Sequence, residues 1–155
     1  MLKSIEGNFD HPEVNQLLKK HFIELRAASP EGSAHVLDII GLKIPSIKFW
    51  SLWEQDLLMG CGALKFLDKN HGEFKSIRIH DDFRGKGYGS KIINHLINEA
   101  KKLNIRRISV ETGSGTFFTP ARKLFGNCGF KPCPPFAHYK DDINSLYLMK
   151  LLDNN

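Results

Sequence analysis

The sequence predicts a mixed α/β (α+β) domain: a mostly antiparallel central sheet of six to seven strands flanked by about four helices. Three observations carry this. Apolar residues recur at helical spacing in two long stretches, Val14 to Leu25 and Ile92 to Leu103. Between them lie three consecutive strand-like runs joined by short turn sequences, the pattern of an antiparallel meander. After Asn104 shorter strand-like and helix-like segments alternate, completing the order β-α-α-β-β-β-α-β-α-β-β.

Taken in order, Leu2 to Ile5 reads as a short first strand. Asp10-His11-Pro12-Glu13 reads as a helix start: Asp10 can cap, Pro12 suits the first turn and Glu13 can close a capping box. Val14, Leu17, Leu18, Phe22 and Leu25 give that helix one apolar face as far as Ala28, and Ser29-Pro30-Glu31-Gly32 breaks it. A shorter helix is predicted over Ala34 to Ile40, with Gly41 ending it. Ile47 to Glu54, Leu57 to Leu67 and Glu73 to His80 are the meander strands, turned at Gln55-Asp56 and at Asp68 to Gly72. A helix over Ser90 to Leu103 follows, with Ile92, Ile93, Leu96, Ile97 and Ala100 on one face and Asn104 as a left-handed stop. Arg106 to Glu111 is a strand, Pro120 to Asn127 a short helix, and Phe130 to Cys133 and Ser145 to Leu151 the last strands. Of Trp50 and Trp53, three apart in one strand, one is expected to face the core and the other a surface or partner.

The chain has 155 residues, read as one domain over 1–155, and a chain of this size buries roughly 68–70% of its unfolded surface. Its formal charge of +5 suits a polyanionic ligand, but no long Lys/Arg block exists, so no nucleic-acid partner is predicted. Cys61, Cys128 and Cys133 are odd in number and form no CxxC pair, which predicts a reducing, cytoplasmic setting, no structural disulfide and no metal. No apolar leader or span-length apolar run occurs, so no membrane association is expected.

The segment with the most chemistry is Arg84-Gly85-Lys86-Gly87-Tyr88-Gly89-Ser90, between the third meander strand and the following helix. Glycines at alternate positions leave backbone N–H groups uncovered and allow φ/ψ values other residues avoid. A helix start behind such a loop offers unpaired donors and the positive end of a dipole, a site for phosphate or pyrophosphate. A P-loop needs four residues between Gly and Gly-Lys-Ser/Thr, and the dinucleotide fingerprint needs GxGxxG; this loop has neither spacing.

In element order over nearly its whole length the chain resembles the GNAT superfamily of acyl-CoA-dependent N-acetyltransferases. Arg84, Gly87 and Gly89 match the acetyl-CoA signature of that family, and Ala121-Arg122-Lys123-Leu124-Phe125-Gly126-Asn127-Cys128-Gly129-Phe130 resembles its last helix and Gly-Phe turn. Ser29-Pro30-Glu31 and the stretch from Glu111-Thr112-Gly113-Ser114 to Pro120-Ala121 resemble a bacterial subgroup of acetyltransferases whose substrates are poorly defined. The resemblance implies acetyl-CoA as cosubstrate, its pyrophosphate held by the backbone of Gly85, Lys86, Gly87, Tyr88, Gly89 and Ser90. Arg84 would orient the loop or contact phosphate. It implies that the backbone of Ile77, Arg78 and Ile79 pairs with the pantetheine arm and that the strand at Ser109 to Glu111 splays away to leave a slot. The acceptor would be an amine of a small molecule or peptide, attacking directly; whether the protein is a homodimer stays open.

A lysine-type amine has a pKa of about 10.4, so at pH 7 about one molecule in a few thousand is nucleophilic and a base is needed. Glu73 lies eleven residues before Arg84, a spacing at which some members of that family place their base, so the resemblance makes it the first candidate, and an ordinary hairpin-end glutamate would explain it equally well. Glu111 is the second. The family commonly supplies the acid from a tyrosine in the last helix, where this chain has Phe125, and Phe118 stands where an Asn often contacts CoA. Tyr139, or water, is the expected substitute. Those two departures also leave open a CoA-binding sensor of the same fold with weak chemistry.

Overall fold

Helix α1, Pro12–Ala28, starts where His11 rather than Asp10 caps it: the His11 ring accepts from the Glu13 N–H (3.2 Å) and Pro12 occupies the first turn. The expected Asp10 cap is thereby corrected by one residue. The structure, a computed structural model, describes residues 1–153. The other elements are β1 Leu2–Glu6, α2 Ile39–Leu42, β2 Ile47–Glu54, β3 Leu57–Phe66, β4 His71–Ile79, α3 Tyr88–Lys102, β5 Arg107–Gly113, α4 Thr119–Asn127, β6 Lys131–Pro132 and β7 Ser145–Leu151.

Helix α2 departs most from expectation. Asp38 accepts from the Gly41 N–H (2.8 Å), so the helix begins at Ile39 and contains Gly41 rather than ending before it. Residues 34–38 are not helical. Ser33 donates to Asp142 (2.8 Å) and accepts from Asn144 (3.3 Å), so the segment is tied to a distant loop instead of closing its own turns.

The seven strands form one sheet in the order β1-β2-β3-β4-β5-β7-β6. Neighbouring pairs are antiparallel except β4 with β5, which run parallel and pair only at His71↔Arg107, Gly72↔Ile108 and Glu73↔Ser109. Beyond Glu73 the two strands separate, leaving a slot in the middle of the sheet. β4 also holds one residue more than β3 between the pairs Cys61↔Arg78 and Ala63↔Lys75. This bulge falls at Ser76, whose φ is +54° and whose carbonyl accepts from the Cys61 thiol (3.3 Å). The inserted residue changes which side chains share a face. Lys75 and Arg78, three apart, both point toward the α1 side, while Ile77 and Ile79 pack with the α3 side.

Two apolar layers clamp the sheet. Ile92, Ile93, Leu96, Ile97 and Ala100 of α3 pack with Trp50, Leu52, Met59, Phe74, Ile108, Val110 and Phe125 on one face. Val14, Leu17 and Leu18 of α1 pack with Phe49, Trp53, Leu58 and Cys61 on the other. Each fully buried Leu or Ile contributes roughly 1.5–3 kcal/mol relative to exposure, so these faces fix both helices against the sheet. Trp50 and Trp53 do face opposite sides, but both are buried, which corrects the expectation of an exposed tryptophan.

Candidate active site

The slot between β4 and β5 opens into a cavity of about 640 Å³. It runs from the start of α3 to the paired ends of β4 and β5, with α1 and residues 33–36 on one side and α4 on the other.

At the α3 end, Gly85 (φ +72°) and Gly87 (φ +85°) take left-handed backbone conformations, and a Cβ on either would enter open space. Gly87 is the N-cap of α3 and supplies no side-chain bond to the first-turn N–H groups. Arg84, Gly85, Gly87, Gly89 and Ser90 line the cavity. Gly89 is glycine for a different reason: a Cβ there would lie 2.7 Å from the Leu124 side chain, where α3 meets α4, and its φ is ordinary. Lys86 and Tyr88 do not line the cavity. Lys86 is exposed, and Tyr88 packs edge-on against Phe83 (5.5 Å) with Lys91 over its ring (5.1 Å). Arg84 approaches the Ile79 carbonyl (3.4 Å) and Asp81 (3.3 Å), which orients the loop. A pyrophosphate fits this end, since its open glycine cradle and uncapped helix start supply donors with nothing in the protein to saturate them.

Ile77, Arg78 and Ile79 also line the cavity. The Arg78 side chain is buried and held by Glu24 (2.6 Å) and Asp81 (3.1 Å), with its Nε unpaired. Beside it on the wall is His21, whose pKa is lowered to about 4 by burial and then by the Arg78 charge. The Asp81 carboxylate also pairs with Lys20.

At the opposite end are the ionisable groups. Glu73 is 1% exposed. Its Oε2 accepts from the Tyr139 hydroxyl (2.6 Å) and lies 3.3 Å from Lys75 Nζ, while its Oε1 is buried without a partner. Lys75 Nζ also donates to the Tyr139 oxygen (3.0 Å). Glu111 accepts from Ser145 (2.8 Å), and burial pushes its carboxyl above the usual range. Glu73, Lys75, Glu111 and His35 line the cavity, whereas Tyr139 does not. Tyr139 stands behind Glu73, its ring against His35 (5.0 Å) and Phe136 (5.1 Å), and burial followed by Glu73 raises its phenol pKa.

Sequence reasoning missed Lys75 and His35. A lysine in a strand reads as a solvated residue, and only the Tyr139 loop that closes over it reveals its burial. Phe118 and Phe125 line the cavity from the α4 side, with Phe125 packed on Phe130 (5.1 Å). Cys61 is fully buried and its thiol pKa is raised to about 12 by burial, so it offers no nucleophile. The His71–Ser109 contact (2.8 Å) offers none either: Arg107 donates to the other His71 nitrogen (3.0 Å), so the ring gives its proton to Ser109 rather than taking one. Among the described residues no group of three or more His, Cys, Asp or Glu could hold a metal ion, and no helix is long and apolar enough to cross a membrane.

Comparisons with known proteins place this geometry in context. The profile of the Acetyltransferase (GNAT) family matches residues 12–130. The uncharacterized N-acetyltransferase YsnE of Bacillus subtilis (strain 168) is 45% identical over 90% of this chain and 93% of its own. The uncharacterized N-acetyltransferase YedL of Escherichia coli (strain K12) is 40% identical over 94% of this chain and 92% of its own. Among solved structures, a GNAT family acetyltransferase from Elizabethkingia anophelis with acetyl-CoA bound superposes with a TM-score of 0.69, covering 97% of this chain and 98% of that one at 17% identity.

Proposed function

Since the chain belongs to the acetyltransferase (GNAT) family and is a GNAT-family N-acetyltransferase, we propose that it moves an acetyl group from acetyl-CoA to the amine of a small molecule or peptide by direct attack. The observation that carries this is one continuous cavity with an uncapped helix start at one end and, at the other, a buried carboxylate with a free oxygen. In this reading the α3 end is the donor end. The backbone N–H groups from Gly85 to Ser90 hold the pyrophosphate, Arg84 sets the loop, and the backbone of Ile77 to Ile79 lines the pantetheine path.

Glu73 is the base. Its Oε1 has no partner in the protein, so an incoming ammonium supplies the missing one and gives up a proton there. The amine nitrogen then bonds the acyl carbon and the C–S bond breaks. Of the two protons the ammonium loses, one leaves through Glu73 to solvent and the other ends on the sulfur. Tyr139 serves as a positioning residue: it holds Glu73 Oε2 from outside the cavity and does not reach the leaving sulfur. Glu111, driven toward its neutral form by burial, is the cavity group suited to give the sulfur its proton, since a leaving thiolate whose thiol has a pKa near 8.5 accepts readily from a carboxylic acid.

Calorimetric titration with acetyl-CoA, followed by thiol release across an amine panel, tests the reading. Saturable binding and amine-dependent release are expected; no binding at millimolar acetyl-CoA would end the proposal. Phe118 and Phe125, which put no hydroxyl on the α4 wall, favour one alternative, a CoA sensor. Binding without turnover would select it.

A further inference from the structure

The acceptor end combines features that a plain amine would not use. Lys75 lies in it with a side chain 10% exposed, between Glu73 Oε2 and the Tyr139 oxygen. An ammonium has three N–H donors, and those two partners occupy two. The third is open on a residue that lines the cavity. Beside it, Glu73 Oε1 is a buried acceptor with no donor. One carboxylate–ammonium pair therefore presents a free acceptor and a free donor to the same space, side by side.

Such a pair is satisfied by its mirror image. We propose that the acceptor is a zwitterionic α-amino acid, its ammonium meeting Glu73 Oε1 and its carboxylate meeting Lys75 Nζ. This rests on the acetyltransferase reading above and narrows it to a substrate class. Charge supports it. Glu73 and Lys75 then each face a group of opposite charge on the bound molecule, which burial demands. A polyamine would set a second cation against Lys75. A peptide amino terminus would leave the open Lys75 donor without a carboxylate. The Arg78 guanidinium does not compete for that carboxylate, because Glu24 and Asp81 already hold it. Ala34 and Val36 form part of the cavity wall beside His35, which contacts Tyr139, so an uncharged side chain suits the remainder of the space.

The test uses the purified protein saturated with CoA and matched triples: an amino acid, its carboxamide, and the amine lacking the carboxyl carbon, beginning with leucine, leucinamide and 3-methylbutylamine across a panel of side chains. Calorimetric binding is read separately from thiol release with acetyl-CoA. At least one amino acid should bind at least roughly tenfold more tightly than both partners of its triple, the scale of one charge-assisted hydrogen bond. Lys75→Met should erase that preference while leaving affinity for the decarboxylated amine, and Lys75→Arg should retain it. Equal binding across every triple, preference for the decarboxylated amines, or no binding by any member would overturn the proposal. So would a Lys75→Met variant that weakens all three members alike, which would make Lys75 a support for Glu73 alone. Preferential amino-acid binding without thiol release would instead overturn acetyl transfer and leave the recognition standing.

Discussion

The two ends of the cavity are made of different material. At the α3 end the chain offers backbone: Gly85 and Gly87 in left-handed conformations, an uncapped first helical turn, and side chains kept out of the way. At the other end it offers ionisable side chains, Glu73, Lys75 and Glu111, packed against Tyr139, Ser145 and His35 from distant parts of the sequence. A phosphate needs many weak donors in a fixed curve, and local sequence can supply them. Proton transfer and discrimination need a few strong groups at set distances, and these come from elements that meet only in the folded chain.

The largest effect should come from the ionisable end. Glu73→Gln keeps the shape and removes the proposed base, so acetyl transfer should fall by about 10²–10⁴-fold while acetyl-CoA affinity, read by calorimetry, stays unchanged. A variant that lost both would show that the ends are not separable.

Next is the wall between them. His21 is buried with a pKa of about 4, so the folded protein keeps it neutral while the unfolded chain protonates it below about 6.5. Its folded value is depressed, so the stability it contributes is present above about pH 6.5 and is lost as pH falls toward 4. The full loss is on the order of 3 kcal/mol. Urea denaturation from pH 7 to 4 should show the decline, and His21→Leu should flatten most of it. His71, lowered by burial and then by Arg107, keeps a smaller slope in the same direction. An unchanged slope in His21→Leu would remove His21 from the account.

Tyr139→Phe sharpens the comparison at the ionisable end. It leaves Glu73 Oε2 with Lys75 alone but keeps the aromatic contacts to Phe136 and His35. A hydrogen bond to a charged group is worth roughly 1.5–3 kcal/mol, which should appear in denaturant stability. Turnover should fall less than in Glu73→Gln, since the base remains. A fall equal to that of Glu73→Gln would make Tyr139 a reacting group rather than a positioning one.

The same division explains what could be read before the fold was known. The glycine loop, α1, α3 and the meander were legible because their signals are local: a period of 3.6 in Ile92 to Ala100, strand-like runs separated by short turn sequences, and a breaker after α1. The slot was expected only through family resemblance, because nothing in the residues of β4 and β5 announces that pairing stops after Glu73↔Ser109. Residues 34–38 were misread as helix because their shape is set by Ser33 reaching Asp142 across the fold. Glu73 was nameable through the family resemblance, some of whose members place a base at its spacing from Arg84, but its partners were not. Lys75 looks like an ordinary strand lysine until the Tyr139 loop closes over it beside Glu73. Gly89 was grouped with Gly85 and Gly87 by pattern, although packing against Leu124, not backbone conformation, requires it.

That last distinction yields the smallest predicted effect. A Cβ at Gly87 meets nothing within 4 Å, so Gly87→Ala creates no clash; its whole cost is the left-handed φ of +85°. That conformation costs a residue with a Cβ roughly 1–2 kcal/mol; the free loop of the variant relaxes to a negative φ, and restoring the left-handed turn on binding gives about a tenfold loss in acetyl-CoA affinity at 1.36 kcal/mol per decade. At saturating acetyl-CoA the rate should return to that of the parent, because the groups around Glu73 are untouched. Gly89→Ala should instead push Leu124, whose methyl would lie 2.7 Å from the new Cβ, and so loosen the contact between α3 and α4. Acetyl-CoA titration separates the two substitutions from thermal melting: Gly87→Ala should move the binding constant more than the melting temperature, and Gly89→Ala the reverse. If Gly87→Ala left the binding constant unchanged, the left-handed turn would not be what holds the pyrophosphate, and the donor end would owe more to side chains than its geometry implies.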